Sequence, residues 1–512
     1  MTTPPASTTA DTAGPAAADD PSAGLSPARR IAARAAALHW PAILLGLLVV
    51  GVVVGTVAYP TYTNYDSTYS LIWGRELLHG ELPSFDAYRA PTQHPLALVF
   101  GAALALLGDA ADRLMVIATL ASFVVLVVGL YRLARTAFTV PVGLAAGAIL
   151  CTRLDFPFLA ARAYIDIPYL ALVIWAAVVE ARSPRRRGLL VLALLALAGL
   201  LRPEAWLLSG LYWLYFVMRA SWRERIVGAL IVAAAPLVWV LTDLAVTGDP
   251  LFSLTHTSGL AEELGRQKGI SEVPSAMVGF LRELVKLPIA FAGAIGLVLA
   301  AWIAPTRLRV PVALFAVGLG TFLLVGVAGL SVINRYLLVP SMMVMLFAAF
   351  AIAGFSLLRE RSAVRRAWAL AAAVLVAGAA LWTALKVNPN RLTGELVFRG
   401  DSRPALAALL RSDAVRRHAS CGPVTVPNHK LIPDVRWIAD LPVDRVIARS
   451  DARAMRGVDS GVAIFAARRS VLVRQGLTPE DSSPQDTARS LPPPSFSRIA
   501  TNGFYTAYGR CP

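Results

Sequence analysis

The feature that most restricts this chain is a succession of apolar runs whose short gaps are filled with arginine. Runs such as 41–59, 114–131, 226–246 and 367–385 approach the roughly 20 residues that a helix needs to cross hydrocarbon. The gaps hold Arg132 and Arg135, Arg182 to Arg187, Arg219 to Arg225, Arg307 and Arg309, and Arg359 to Arg366. Basic residues in short loops mark the cytoplasmic ends of membrane helices. Of the 512 residues 56% are hydrophobic and 16% charged, where a soluble domain holds about half and about a quarter. The net charge of +16 is therefore spread through loops and is not gathered into a nucleic-acid-binding face. Nucleic acid is excluded as a partner, and membrane lipids are implied.

Charge parity then orders the spans. Residues 1–28 are rich in Pro, Ala, Thr and Asp and end in Arg29, Arg30 and Arg34, so 1–38 reads as a disordered, basic-ended cytoplasmic tail. Thr56-Val57-Ala58 offers a small-residue cleavage site, but the run before it is long for a signal peptide and is taken as an uncleaved span. Residues 60–94 form an external loop. The run 95–107 is short for a crossing, and the next basic gap lands inside only if it does not cross, so it reads as a juxtamembrane or re-entrant helix. Residues 188–218 cross twice, turning outside at Arg202-Pro203-Glu204, and 248–287 is a second long external loop. The total is about eleven spans, with every basic gap inside. The expected architecture is an all-α polytopic domain over 39–385, in the inner (plasma) membrane, followed by a small extracytoplasmic α/β domain over 386–512.

That domain mixes an amphipathic helix candidate, Pro404–His418, with short β-like runs at Val424–Val426 and Gly461–Phe465 and a loop at Ser482–Pro494. Cys421 and Cys511 bracket it without any zinc-type spacing, and outside the cytoplasm such a pair favours a disulfide. Cys151 lies in an apolar run and reads as a core residue.

With this topology the ionisable residues gather on one rim. Asp66, Arg75, Glu76, Asp86, Arg89 and His94 fall in the first external loop, Asp155, Arg162 and Asp166 in the second, and Arg202 and Glu204 in the third. Asp249 and His256 open the fourth, and Asn334-Arg335-Tyr336 mark the fifth. Charges near hydrocarbon are costly, so such a layer is a functional-site candidate. Arg75, Glu76 and Arg89 also read as solvated surface. Asp66 is placed to take a proton from an incoming hydroxyl, or to cap the helix-like run Ser67–His79. Asp166 likewise starts a span and suits a cap as well as a site. Arg202 and Glu204 suit a self-paired turn or a ligand contact. Arg335 suits a snorkelling side chain or a guanidinium that forks onto phosphate. His94 and His256 show no metal-ligand spacing, and the chain has no phosphate loop, nucleophile elbow or dinucleotide fingerprint.

The order of these features resembles the GT-C class of membrane glycosyltransferases, in the branch that includes protein O-mannosyltransferases and the aminoarabinose transferase of lipid A. That branch has an Asp just after the first span, an aromatic amphipathic stretch and a His-Pro-Pro-Leu-like element. Asp66, Tyr69–Leu78 and His94-Pro95-Leu96 match these. Asp166 matches a second acidic position, and Arg335-Tyr336 with Pro340 matches an Arg-Tyr pair heading a late span. The likeness covers roughly 40–385, and its order and sidedness are more specific than any one motif. It departs at Asp66-Ser67, where the branch often has Asp-Glu, and at the single Pro95. The first departure weakens a metal-assisted reading.

The resemblance implies a polyprenyl-phosphate-linked sugar as donor and a lipid, glycan or protein hydroxyl as acceptor. Asp66 would act as general base with inversion at the anomeric carbon, and Asp166 would orient the acceptor or support Asp66. Arg202, Arg335 and, after them, His256 would stabilise the departing phosphate, with His94, Glu204 and Tyr336 in substrate binding. No cofactor is required, because the leaving group is already a phosphate, and a divalent metal is left open. The Ala- and Arg-rich composition suggests a GC-rich bacterial genome and a cell-envelope acceptor. The rival expectation is a transporter or flippase of an envelope precursor, which would place charges at the bilayer midplane and carry internal symmetry.

Overall fold

The computed structural model describes residues 40–58, 62–263, 269–360, 362–386, 388–477 and 491–512. The expected tail over 1–38 and most of the expected loop Ser482–Pro494 lie outside the described residues. The chain divides into a unit ending at Gly51 and a larger unit from Val52 onward. Of the first, the described part is the beginning of helix α1, Trp40–Ala58.

The next helices are α2 (Tyr65–Leu78), α3 (Pro95–Ala105), α4 (Ala111–Ala137), α5 (Val140–Thr152), α6 (Asp155–Ala161) and α7 (Asp166–Arg182). There follow α8 (Gly188–Leu201), α9 (Glu204–Val217), α10 (Trp222–Thr247), α11 (Phe252–Glu263), α12 (Val273–Val285) and α13 (Leu287–Ile303). The series continues with α14 (Arg309–Val327), α15 (Leu338–Ala353) and α16 (Ala363–Lys386). Among the described residues six helices are long and apolar enough to cross a membrane, or up to eight if each of two bent pairs is one span. The bent pairs are α5 with α6, at 64°, and α12 with α13, at 101°. The expectation of about eleven also counts α7, α8 and α9, whose 17, 14 and 14 residues are shorter than a straight crossing takes. The stretch 248–287, expected as a loop, carries α11 and α12.

Two packing devices position the rest. The short α3 lies directly against α2 where Gly74 faces Gly101: a Cβ on either would meet the other helix's backbone. The close approach ties the start of α3, and with it His94, to the helix that bears Asp66. The second device is α15, buried almost all round, as befits a helix that is apolar on every face. Gly296 of α13 meets its Phe347 carbonyl, and Gly318 of α14 meets its Pro340 ring. A 3-10 turn, Asn334–Leu337, leads into α15 and carries Arg335.

The C-terminal part begins with α17 (Pro389–Leu410), α18 (Asp413–Cys421) and strand β1 (Val424–Val426). It continues through α19 (Ile432–Ala439), β2 (Val446–Ala448), β3 (Gly461–Ala466), α20 (Arg469–Arg474), β4 (Ser497–Thr501) and β5 (Tyr505–Arg510). The five strands form one mixed sheet in the order β2-β1-β3-β5-β4. β1 runs parallel to β2 and β3, and β5 antiparallel to β3 and β4. The expected strands at Val424–Val426 and Gly461–Phe465 are thus β1 and most of β3. The expected single helix Pro404–His418 is instead two: α17 runs through Pro404 to Leu410, and α18 restarts after the extended Ser412. A disulfide joins Cys421, at the end of α18, to Cys511, just past β5. Cys151 is free and half-buried.

The sheet domain is clamped to α2 by residues that also read as surface in the sequence. Glu76 receives Arg436, whose Nη2 lies 2.5 Å from Oε1 and whose side chain is 1% exposed. Arg75 donates to the Arg436 and Trp437 carbonyls at 3.0 and 3.3 Å, pairs with Asp440 at 2.9 Å, and lies 4.7 Å over the Trp437 ring. The C-terminal half of α2 holds the sheet domain, and its N-terminal half carries Asp66.

Candidate functional site

Helix α2 starts where it does because Asn64 caps it. Asn64 is extended, and its Oδ1 accepts from the Ser67 N–H at 2.9 Å, the usual role of an N-cap side chain. Asp66, which also read as a cap, is thereby left free for other work. Its Oδ2 lies 3.2 Å from Arg335 Nη1. The same Nη1 is 3.7 Å from Asp166 Oδ2. Asp166 opens α7 without capping it, and its Oδ1 accepts from Arg202 Nη1 at 2.5 Å. Arg202 then donates through Nε and Nη2 to Glu204 Oε1 at 3.1 and 2.6 Å. Residues from four separate stretches of chain form one ionic relay: Asp66, Arg335, Asp166, Arg202, Glu204.

The relay is graded in exposure. The side chains of Asp166, Arg202 and Glu204 are 1%, 7% and 9% exposed, whereas those of Asp66 and Arg335 are 19% and 28% exposed. The buried end is suited to holding geometry and the open end to meeting a ligand. Local packing fixes the buried end. The indole N–H groups of Trp206 and Trp239, on α9 and α10, both donate to the Gly199 carbonyl of α8, at 3.1 and 3.0 Å. That shared acceptor locks the α8–α9 turn that presents Arg202.

His94 precedes α3 and makes no cap bond. Its ring meets the Trp239 edge at 5.6 Å, and Nδ1 is buried without a hydrogen-bond partner among the described residues. Burial pushes its imidazole down to about 4, with Arg202 and Arg335 adding to the shift and Asp66 and Asp166 opposing it. It is therefore neutral at physiological pH. Tyr336 also faces the relay, its ring 5.4 Å from the Arg202 guanidinium carbon. His256 stands apart: it stacks on Phe252 at 5.0 Å and its Nε2 sits 2.9 Å from the Ala90 carbonyl.

Asp66, His94, Arg202, Glu204, Arg335 and Tyr336 line one cavity of about 720 Å³, a size suited to a small-molecule ligand. A large part of its wall was missed in the sequence. Arg399, Ser402 and Arg403 of α17, together with His429, Lys430 and Asp434, bring the sheet domain to the cavity. Arg403 is anchored to Asp112 at 3.0 Å, Asp434 at 3.7 Å and Thr63 Oγ1 at 3.3 Å. Burial raises the Asp434 carboxyl above its usual range, against the opposing pull of Arg403. No periodicity announces such a docked wall.

Asp243, also missed, lines the cavity from within the apolar α10. Its carboxylate accepts from Gln93 Nε2 at 3.2 Å and from the Ser253 hydroxyl and N–H at 2.8 Å each. The signal for it was present, since a carboxylate inside an apolar run marks a functional position. Among the described residues no group of three or more His, Cys, Asp or Glu is arranged to hold a metal ion. Set against known protein families and curated proteins, the chain matches none.

Proposed function

We propose that the chain is an integral membrane glycosyltransferase of GT-C type. It would move a sugar from a polyprenyl-phosphate donor to a hydroxyl of an extracytoplasmic lipid, glycan or protein. On this reading about eleven segments cross, with α7, α8 and α9 among them. The N-terminus is cytoplasmic and the sheet domain external, in the inner membrane. The observation that carries the reading is the relay of Asp66, Arg335, Asp166, Arg202 and Glu204 at one cavity. Asp66, Asp166 and Glu204 lie in first helical turns, and Arg202 and Arg335 lie in the connections that lead into α9 and α15.

The chemistry follows from the graded relay. An acceptor hydroxyl enters the cavity and gives its proton to Asp66. Its oxygen bonds to the anomeric carbon as the bond from that carbon to the phosphate oxygen breaks, with inversion. The electron pair leaves with the lipid phosphate. Protonation cancels the charge on Asp66 as the phosphate gains one, so Arg335 passes from carboxylate to phosphate. Preorganised donors of this kind contribute about 3 kcal/mol each to such steps. Asp166, pinned by Arg202, keeps Arg335 in reach. Neutral His94 offers Nδ1 to a sugar hydroxyl.

The test is reconstitution in liposomes with a labelled polyprenyl-phosphate sugar and envelope glycan as acceptor. Label appearing in the acceptor supports the transferase. Label crossing the bilayer still attached to its lipid, with no transfer, replaces it by a flippase.

A further inference from the structure

We propose that Arg162 is the primary phosphate-binding residue of the cavity, a role that the family resemblance gave to Arg202, Arg335 and, after them, His256. The proposal rests on the transferase reading for its substrate and on geometry for its site. Arg202 and Arg335 are already committed, because three carboxylates, Asp66, Asp166 and Glu204, share their two guanidinium groups. That cluster carries a net negative charge and repels a resting phosphate. Arg162 is the reverse case. It lines the same cavity, and no carboxylate among the described residues pairs with it.

Its guanidinium carbon lies 5.7, 5.6 and 5.4 Å from the rings of Tyr62, Phe158 and Tyr164. Its Nε is buried with no acceptor among the described residues. Aromatic faces hold a cation in place without neutralising it, and a buried donor without a partner is one that a ligand oxygen completes. The planar fork suits phosphate oxygens. Asp434, which its charge also reaches, is held by Arg403.

The backbone sets Arg162 beside the reacting groups. Its carbonyl accepts from the Asn64 N–H at 2.9 Å, and the next carbonyl, of Ala163, accepts from the Ser67 hydroxyl. Ala163 has φ +55°, a left-handed conformation that non-glycine residues rarely adopt and that packing must hold in place. This turn thus docks on the first turn of α2, which bears Asp66. The Tyr164 ring is shared, 5.4 Å from the Arg162 guanidinium carbon and 5.9 Å from that of Arg335. A phosphate held by Arg162 at rest is placed for Arg335 to join when Asp66 takes its proton.

The test uses the full chain in nanodiscs, with farnesyl phosphate and inorganic phosphate as probes and farnesol as the neutral control. Arg162→Gln is expected to weaken phosphate binding about tenfold or more, and Arg162→Lys less, because a lysine keeps the charge and loses the fork. Farnesol binding and the unliganded unfolding midpoint should not change. Loss of both phosphates assigns the site to the lipid donor. Loss of inorganic phosphate alone assigns it to a phosphate from another source, such as the acceptor. Wild-type binding of both probes by Arg162→Gln overturns the proposal. Should that variant unfold, Arg162→Lys decides by the same comparison. Arg162-dependent binding in a wild type that transfers no sugar would sink the transferase reading and leave this site standing; transfer with Arg162-independent binding would do the opposite.

Discussion

Replacing Arg202 with methionine removes the cation that holds both Asp166, at 2.5 Å, and Glu204, at 3.1 and 2.6 Å. Two carboxylates no more than 9% exposed would then lack that partner. Removing one member of a buried ionic group costs about 3–5 kcal/mol, most of it from the charges left behind. Removing Glu204 as well relieves one of those charges, and Asp166 keeps Arg335 at 3.7 Å. Arg202→Met with Glu204→Gln should therefore cost less than the two single changes added together, by about 1–3 kcal/mol, as residues in one network do. Asp66→Asn should be mild by comparison, because it leaves two carboxylates against two guanidinium groups and alters a side chain that is 19% exposed. Equilibrium unfolding in mixed micelles measures all of these. An Arg202→Met loss below about 1 kcal/mol, or strict additivity in the double variant, would refute the relay as a coupled unit.

Two further outcomes follow from other parts of the molecule. His94 has its folded value depressed from 6.5 to about 4, so the native state binds fewer protons than the unfolded chain. Its contribution is present above about 6.5 and is lost as pH falls through about 4, up to roughly 3 kcal/mol at the low end; a His94→Gln variant should show a flatter unfolding profile over that window. The Cys421–Cys511 bridge closes a loop across 90 positions, and its loss typically costs about 2–5 kcal/mol. Cys421→Ser should therefore make 386–512 markedly more sensitive to protease than the wild type, while sensitivity equal to wild type would deny the bridge a role in holding that domain.

The site was legible to the extent that topology determines it. Asp66 and Arg335 are 269 positions apart, yet placing the arginine-rich gaps on one side puts them, with Asp166, Arg202 and Glu204, on the other. The choice between cap and site was not legible at Asp66. Asn64, two residues earlier, is an equally good cap, and only the backbone shows which of the two takes the Ser67 N–H. The α2–α3 contact had a signal in Gly74 and Gly101, but two glycines in separate apolar runs do not announce that they face each other. The sheet domain's share of the cavity was hidden because docking follows from single pairs such as Glu76–Arg436, and isolated charges in loops look the same whether solvated or paired. Arg162 was visible in the polar rim. What sets it apart, the absence of a pairing carboxylate among the described residues, exists only in three dimensions.

The proposed transfer makes Asp66 the base, which is tested by comparing turnover of the wild type with that of Asp66→Asn at equal occupancy by the prenyl-phosphate donor. A positioned general base contributes about 10²–10⁴ in rate, so turnover of Asp66→Asn should fall by about 10²–10⁴-fold at that equal occupancy. Turnover by Asp66→Asn at the wild-type rate would contradict the account.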